Sequence, residues 1–406
     1  MAITINAKTS GAGGLETTAD NTGNINIQSG GSTVMSISST GVSVTGSFSQ
    51  DGAVYSTQPS FRNLIINGDM RIDQRNGGSA NTINVDGEYT LDRWKANSIQ
   101  APTYNRFTVQ QVTDAPDNAI NSLKVTSLVS YTVTSGDYHL MQQRIEGNNT
   151  AHLGWGTSAA KTVTLSFWVK SSLTGTFGGS VRNSAGTRSY PFTYAIASAN
   201  TWEKKTITVT GDTTGTWDTD TTSGIIIYLG LGVGSTYSGT AGSWAGTNYL
   251  SATGATSVVG TSGATWQITN VQLEVGSTAT DFENLPYDVQ LQRCQRYYYK
   301  IAGLNGQGLG CVGYVANSQV GTMTTTFPVQ MRIRPTALET TGTASDYSIR
   351  YLATATVSNT VPSFYTASLQ AADVQFFVPT TTLTAGQGCM SRAASNSAYL
   401  AWSAEL

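Results

Sequence analysis

Short runs in which apolar and polar side chains alternate recur along the whole chain. Leu165–Lys170 reads Leu-Ser-Phe-Trp-Val-Lys and Lys205–Thr210 reads Lys-Thr-Ile-Thr-Val-Thr, and Trp266–Glu274 reads as a further strand. Period two marks a half-buried strand, because successive side chains point to opposite faces. Ile25 and Ile27, then Val42 and Val44, alternate with polar neighbours, with Gly30-Gly31, Gly41 and Gly46 as turns. Further strands are expected at Asn63–Met70, Asp92–Trp94, Phe327–Arg334, Val374–Val378 and Tyr399–Trp402. Spaced at roughly ten to twenty residues and joined by Gly and Asn turns, these strands predict an all-β chain of sandwiches or jelly rolls.

One stretch has helical spacing. Tyr287, Leu291, Cys294 and Tyr298 fall at i, i+4, i+7 and i+11, one stripe of a helix that Pro286 opens and Gly303 stops. Texture then divides the chain into residues 1–57, a β attachment or shaft segment; 58–284, a central jelly roll; 285–300, a helical neck; and 301–406, a C-terminal β-sandwich. The first region has too few large apolar side chains for a core of its own, which favours a core shared with other copies. Ile25, Ile27, Val42 and Val44, with the helical stripe Tyr287, Leu291, Cys294 and Tyr298, are the candidate oligomer contacts.

Composition removes several function classes. The chain has 406 residues with 22 Lys and Arg against 24 Asp and Glu, a net charge of −2. Such sparse, balanced charge lacks the basic clusters that phosphate contact requires, so no nucleic-acid partner is expected. No apolar stretch approaches the roughly 20 residues of a membrane span, and Met1–Gly14 has no signal-peptide core. Cys294, Cys311 and Cys389 are odd in number and widely spaced, so they read as free thiols made in a reducing compartment.

Catalytic chemistry finds little to work with. Glycoside hydrolysis uses two carboxyl groups roughly 5–10 Å apart, and the tightest acidic group is Asp86, Glu88 and Asp92, followed by Asp218 and Asp220. Loop acids at this spacing cap turns or hold a structural calcium ion; no other cofactor is expected. No G-x-S-x-G elbow is present. His139 reads as a strand residue and His152 as a loop residue. Gly308–Gly313 is formally G-x-G-x-x-G, but without strand-before-helix context it reads as a glycine-rich turn.

Aromatics are the positive signal, with 8 Trp and 19 Tyr in a weakly charged chain. Trp94, Trp168 and Trp266 lie in strand patterns and are expected in the core. Trp155, Trp217 and Trp244 lie in Gly, Ser and Thr loops, where an indole face either stacks on a sugar ring or plugs a sandwich end.

Asn63-Leu64-Ile65-Ile66-Asn67-Gly68-Asp69-Met70, Asp73-Gln74-Arg75, Asp92-Arg93-Trp94, Phe167-Trp168-Val169-Lys170 and Val271–Gly276 leading into Asp281-Phe282-Glu283 together carry a resemblance. So do the tyrosine-rich helix from Leu285 and the run Trp402–Leu406. Residues 60–406 resemble bacteriophage tail-fibre and related tail proteins. That resemblance implies a homotrimeric virion protein, made in the host cytoplasm, with a jelly roll like a carbohydrate-binding module. It also implies attachment to other tail or baseplate proteins through the N-terminus, and a C-terminal head facing host surface polysaccharide or lipopolysaccharide. Tyr347, Tyr351, Phe364 and Tyr365 of that head, with the three loop tryptophans, are the candidate glycan contacts, and Arg332, Arg334 and Arg350 could meet acidic groups. The expected function is non-catalytic adhesion. Its rivals are a structural head-fibre, decoration or connector protein and a polysaccharide depolymerase.

Overall fold

The structure, a computed structural model, describes residues 3–7, 15–16, 25–29, 31–38, 41–44, 48–50, 53–55, 61–99, 105–352, 354–379 and 383–406. Contacts divide the chain into two units, residues 1–62 and 63–406. In the first, one sheet runs Leu15–Glu16, Ile3–Ala7, Ile25–Ser29, Ser32–Ser38, Gly41–Val44. Ile25 pairs with Ile37 and Ile27 with Met35. Ile25 keeps 37% of its surface exposed and Ile27 is half-buried. Val42 and Val44 sit on the last strand, and their side chains lie outside the described residues.

The second unit is all-β apart from short helices. Its larger part is a jelly-roll sandwich of two six-stranded antiparallel sheets. The first sheet runs Ser189–Ile196, Gly175–Arg182, Ser223–Val233, Tyr138–Glu146, Trp94–Ile99, Glu88–Tyr89. The second runs Glu203–Val209, Val163–Ser171, Thr265–Val275, Ser122–Ser127, Phe107–Val112, Asn81–Thr82. Trp94, Trp266, Phe107, Phe167 and Phe177 are fully buried between the sheets. Pro191, which cannot donate to a ladder, lies on an edge strand. Trp168 departs from expectation. Leu165, Phe167 and Val169 take the inward positions of Val163–Ser171, so Trp168 points outward and is only half-buried.

Ser223–Val233 is apolar at nearly every position because both its faces are covered. The inner face meets the second sheet. On the outer face Leu140, Ile226 and Tyr228 pack beneath Leu250 of the 235–252 loop. That loop comes close because Gly178 and Gly230 have no side chain: a Cβ on either would lie 2.4 and 2.8 Å from the Ser251 hydroxyl.

Asn63–Met70 is an irregular buried segment rather than the expected strand. A side chain replaces the ladder there: Ile66 N donates to Gln143 Oε1 at 2.8 Å, and Gln143 Nε2 donates back to Ile66 O at 2.9 Å. The helix spans Tyr287–Gln295, shorter than its apolar stripe suggested. Tyr298 instead opens the strand Tyr298–Ala302, which pairs with Tyr399–Ser403. Cys294 and Tyr298 are buried within this unit, Leu291 is half-buried and Tyr287 is exposed.

Beyond the helix, a seven-stranded antiparallel sheet runs Thr354–Val357, Tyr347–Tyr351, Gly388–Ala393, Gly308–Asn317, Val320–Thr326, Ala371–Phe377, Ser363–Ala367. Leu400 and Trp402 of the paired ribbon complete its core. Two expectations fail here. Gly308–Gly313 is strand, not turn, with Gly310 at φ +71° in a ladder irregularity between Gly308 and Val312. Phe327–Arg334 is irregular: Pro328 supplies no N–H, and Arg332 turns inward to donate to Ala404 O at 2.7 Å.

Candidate functional site

The outer face of the first jelly-roll sheet is covered by the 235–252 loop over only part of its area. Strand register brings distant residues together on the remainder. Lys95 lies opposite Gln142, Gln142 opposite Tyr228, and Tyr228 opposite Ser180, a line across four strands. One step along, Arg144 faces Ile226 and Ile226 faces Arg182. Lys95, Gln142, Tyr228, Arg144 and Arg182, with Asp86, Asn97, Tyr138, Tyr237 and Asn248, line a cleft of about 260 Å³.

Tyrosines form the walls. Tyr138 and Tyr237 meet edge to face at 5.2 Å, and the Arg182 guanidinium lies 5.0 Å over the Tyr228 ring. Arg182 also donates to Asn248 Oδ1. Asp86 Oδ1 accepts from Asn97 Nδ2 at 2.9 Å and from Ser98 N at 3.1 Å, which fixes one rim. The floor is Gln142, only 1% exposed, and neither its Oε1 nor its Nε2 has a partner. Asn97 Oδ1, Arg144 Nε and Arg182 Nε are likewise buried and unpartnered. Buried polar groups are otherwise hydrogen-bonded in native proteins, so this concentration marks a place built to receive polar atoms. Burial, and then the charge of Arg144, pushes the Lys95 ammonium pKa down; burial also lowers that of Arg182 and raises that of Tyr138.

A second cleft of about 400 Å³ lies on the outer face of the other sheet, where Trp168, Ser166, Lys204, Asn270 and Phe282 gather. Asn270 adopts φ +50°, and its buried Oδ1 has no partner.

The residues singled out in the sequence lie elsewhere. Trp155, Trp217 and Trp244 are brought together as a mutually edge-to-face triad with centroids 4.7 to 5.5 Å apart. Trp155 and Trp217 are 7% and 9% exposed and Trp244 is half-buried. All three indole N–H groups donate to backbone carbonyls, of Lys161, Thr214 and Thr210. In the C-terminal sheet Tyr347 is fully buried, its hydroxyl donating to Tyr399 O at 2.8 Å. Tyr351 and Phe364 are half-buried against the core, while Tyr365 is 61% exposed. Arg332 is buried and committed to the carbonyls of Thr221, Ala404 and Glu405, so it cannot meet an outside anion; Arg334 and Arg350 remain exposed.

The three nearby acids do not converge. Asp86 lines the cleft, Glu88 accepts from Asn81 and Asn84, and Asp92 is buried beneath Gln74, where burial lifts its carboxyl to about 6. Asp220 caps its own turn through Thr222. Burial pushes His139 down to about 4, so it is neutral at pH 7, with Nδ1 2.9 Å from Ser98 Oγ. Among the described residues no group of three His, Cys, Asp or Glu side chains could hold a metal ion. The three cysteines are buried free thiols, and among the described residues no helix is long and apolar enough to cross a membrane.

Sequence reasoning missed Lys95, Gln142, Arg144, Arg182 and Tyr228. One signal was available: Gln142 and Arg144 interrupt the apolar strand Tyr138–Glu146 on a single face, and Arg182 ends Gly175–Arg182.

No family model matches the chain, and no curated protein matches it. Among solved structures, it is similar to the enzymatically active domain of tailspike protein 4 of bacteriophage CBA120, at 15% identity and TM-score 0.30. That match covers 53% of this chain and only 22% of the tailspike chain. A protein of Bacteroides thetaiotaomicron whose sugar binding is itself only proposed gives 14% identity and TM-score 0.32, over 53% of this chain and 100% of that one. A family 11 carbohydrate-binding module of Clostridium thermocellum, in complex with a mixed-linked tetrasaccharide, gives 13% identity and TM-score 0.25, over 50% and 98%. Likenesses at these values give no ground for transferring an activity.

Proposed function

We propose that the chain is a virion appendage of the tail-fibre type that holds a host-surface saccharide, without cleaving it, in the cleft over Gln142. The observation that carries the saccharide reading is the buried amide of Gln142, unpartnered at both ends on the floor of a tyrosine-walled cleft. A sugar offers what that amide needs, a hydroxyl able to donate and accept at once, and the ring faces offer C–H surface to tyrosine. Non-catalytic binding is supported by the lining: Asp86 is its one carboxylate, whereas glycoside hydrolysis employs a pair. The virion assignment rests on the tail-fibre resemblance of residues 60–406. A homotrimer anchored through the N-terminal segment would present three clefts, so that a weak single site gains avidity.

The test is binding of the intact protein to an array of bacterial surface oligosaccharides, with Gln142→Leu alongside. The parent is expected to bind at least one glycan, and the variant to lose roughly 10- to 100-fold in affinity, the worth of one or two hydrogen bonds in a desolvated site. Retained binding by a folded variant, or release of new reducing ends by the parent, would count against the reading.

A further inference from the structure

We infer that the saccharide taken by this cleft is acidic, its carboxylate or phosphate seated between Arg144 and Arg182 on the wall that also carries Lys95. The inference rests on the reading of the cleft as a saccharide site. Only 22 of 406 residues are Lys or Arg, and the chain as a whole carries −2. Three of those cations nevertheless line one cleft of about 260 Å³ against the single carboxylate of Asp86, a local balance of +2 (three minus one).

The fold answers that charge only in part: Asp86 favours the charged form of Lys95, whose ammonium lies 5.1 Å over the Tyr89 ring. Among the described residues the ion pairs involve other groups, and none includes Lys95, Arg144 or Arg182. Asp86 directs one oxygen to Asn97 and Ser98. Arg182 is held by two neutral partners, the Asn248 amide and the Tyr228 ring. The Nε atoms of Arg144 and Arg182 are buried without an acceptor. Burial first, and Arg144 in addition, lowers the proton affinity of both Lys95 and Arg182, which places the three within each other's field. Half-buried like charges that outnumber their one carboxylate are unfavourable, and an anion relieves that repulsion while filling the empty donor positions. Arginine is suited to the task because its planar fork matches the two oxygens of a carboxylate or phosphate.

Glucuronate, glucose 6-phosphate, glucose and inorganic phosphate serve as probes, each titrated into the full chain at one ionic strength and followed by ligand-observed NMR. At least one acidic sugar is expected to bind roughly tenfold or more tightly than glucose, and the stronger of the two identifies carboxylate or phosphate as the preferred group. Arg144→Gln and Arg182→Gln are each expected to remove that advantage. Lys95→Gln, a half-buried position, provides a milder variant should either arginine prove necessary for folding. Glucose bound as tightly as the acids, and lost in Gln142→Leu, overturns the charge inference and leaves the saccharide site standing. Phosphate alone bound as tightly as glucose 6-phosphate, or no binding by any probe, overturns both.

Discussion

Glu405→Gln is expected to destabilise the unit of residues 63–406 by about 3–5 kcal/mol, the usual cost of removing one partner from a buried ion pair. Arg93 is 1% exposed and pairs with Glu405, itself 4% exposed, while Arg75 approaches the other carboxylate oxygen at 3.4 Å. Burial opposes the charge on Arg93, yet Glu405 and the tyrosines around it raise its pKa above the ordinary arginine value. The Arg93 guanidinium also lies 3.6 Å over the Tyr297 ring, and that of Arg75 lies 3.6 Å over Tyr298. Arg332, donating to Ala404 O and Glu405 O, and Tyr89, donating to Leu406 O, hold the same stretch in place. Residues 404–406 therefore join the jelly roll to the C-terminal sheet, and the amide leaves Arg93 charged with no counter-charge equally close. Urea unfolding of parent and variant measures the effect; a loss under about 1 kcal/mol would mean that Arg93 reaches water. Arg93→Met combined with Glu405→Gln should cost less than the sum of the single changes, because the fully buried charge of Arg93 is then not stranded.

Gly68→Ala is expected to cost about 3 kcal/mol or more, at the upper end for overpacking a core. A Cβ on Gly68 would lie 2.1 Å from the Val271 carbonyl oxygen, a backbone atom that no rotamer change can move aside. The segment is tied to strand Thr265–Val275 on both sides of that point. Leu64 N donates to Leu273 O at 2.9 Å and Val271 N to Gly68 O at 2.9 Å, while Asn63 Oδ1 accepts from Leu273 N at 3.0 Å. Asn67, at φ +58°, uses its side-chain amide to bridge Ile72 and Asp92, and its carbonyl accepts from the Trp94 indole. Separating the backbones to admit a methyl group would break this set together. Gly136→Ala is the control, since a Cβ there meets nothing within 4 Å. Calorimetry should show a lowered melting temperature for Gly68→Ala alone; equal melting of the two variants would contradict the packing described.

The all-β class was readable because Val163–Ser171 and Glu203–Val209 alternate apolar with polar side chains, which writes period two directly into the chain, although most polar positions of Val163–Ser171 and all those inside Thr265–Val275 are themselves buried. Errors fall where the backbone hydrogen-bonds to something other than a neighbouring strand. Leu64-Ile65-Ile66 is as β-prone as any strand here, yet the side chain of Gln143, 77 residues away, satisfies Ile66. Three successive tyrosines extended the apparent helix, whereas pairing with Tyr399–Ser403 draws Tyr298 into a ribbon. Of the binding cleft, almost nothing was legible. Loop tryptophans attract attention by residue type, but Lys95, Gln142, Arg182 and Tyr228 become neighbours only through the register of four strands drawn from positions 94 to 233. Period two tells which face a residue takes; it does not tell which residues on that face meet.

A crystal structure of the full chain with its best-binding oligosaccharide from the array tests the central claim most directly. The account predicts a sugar residue over Gln142, with hydroxyls on its amide and ring faces against Tyr138 or Tyr228. An oligosaccharide held instead at the Trp168 cleft, or around Tyr365 on the C-terminal sheet, with the Gln142 cleft free of ligand, would contradict it.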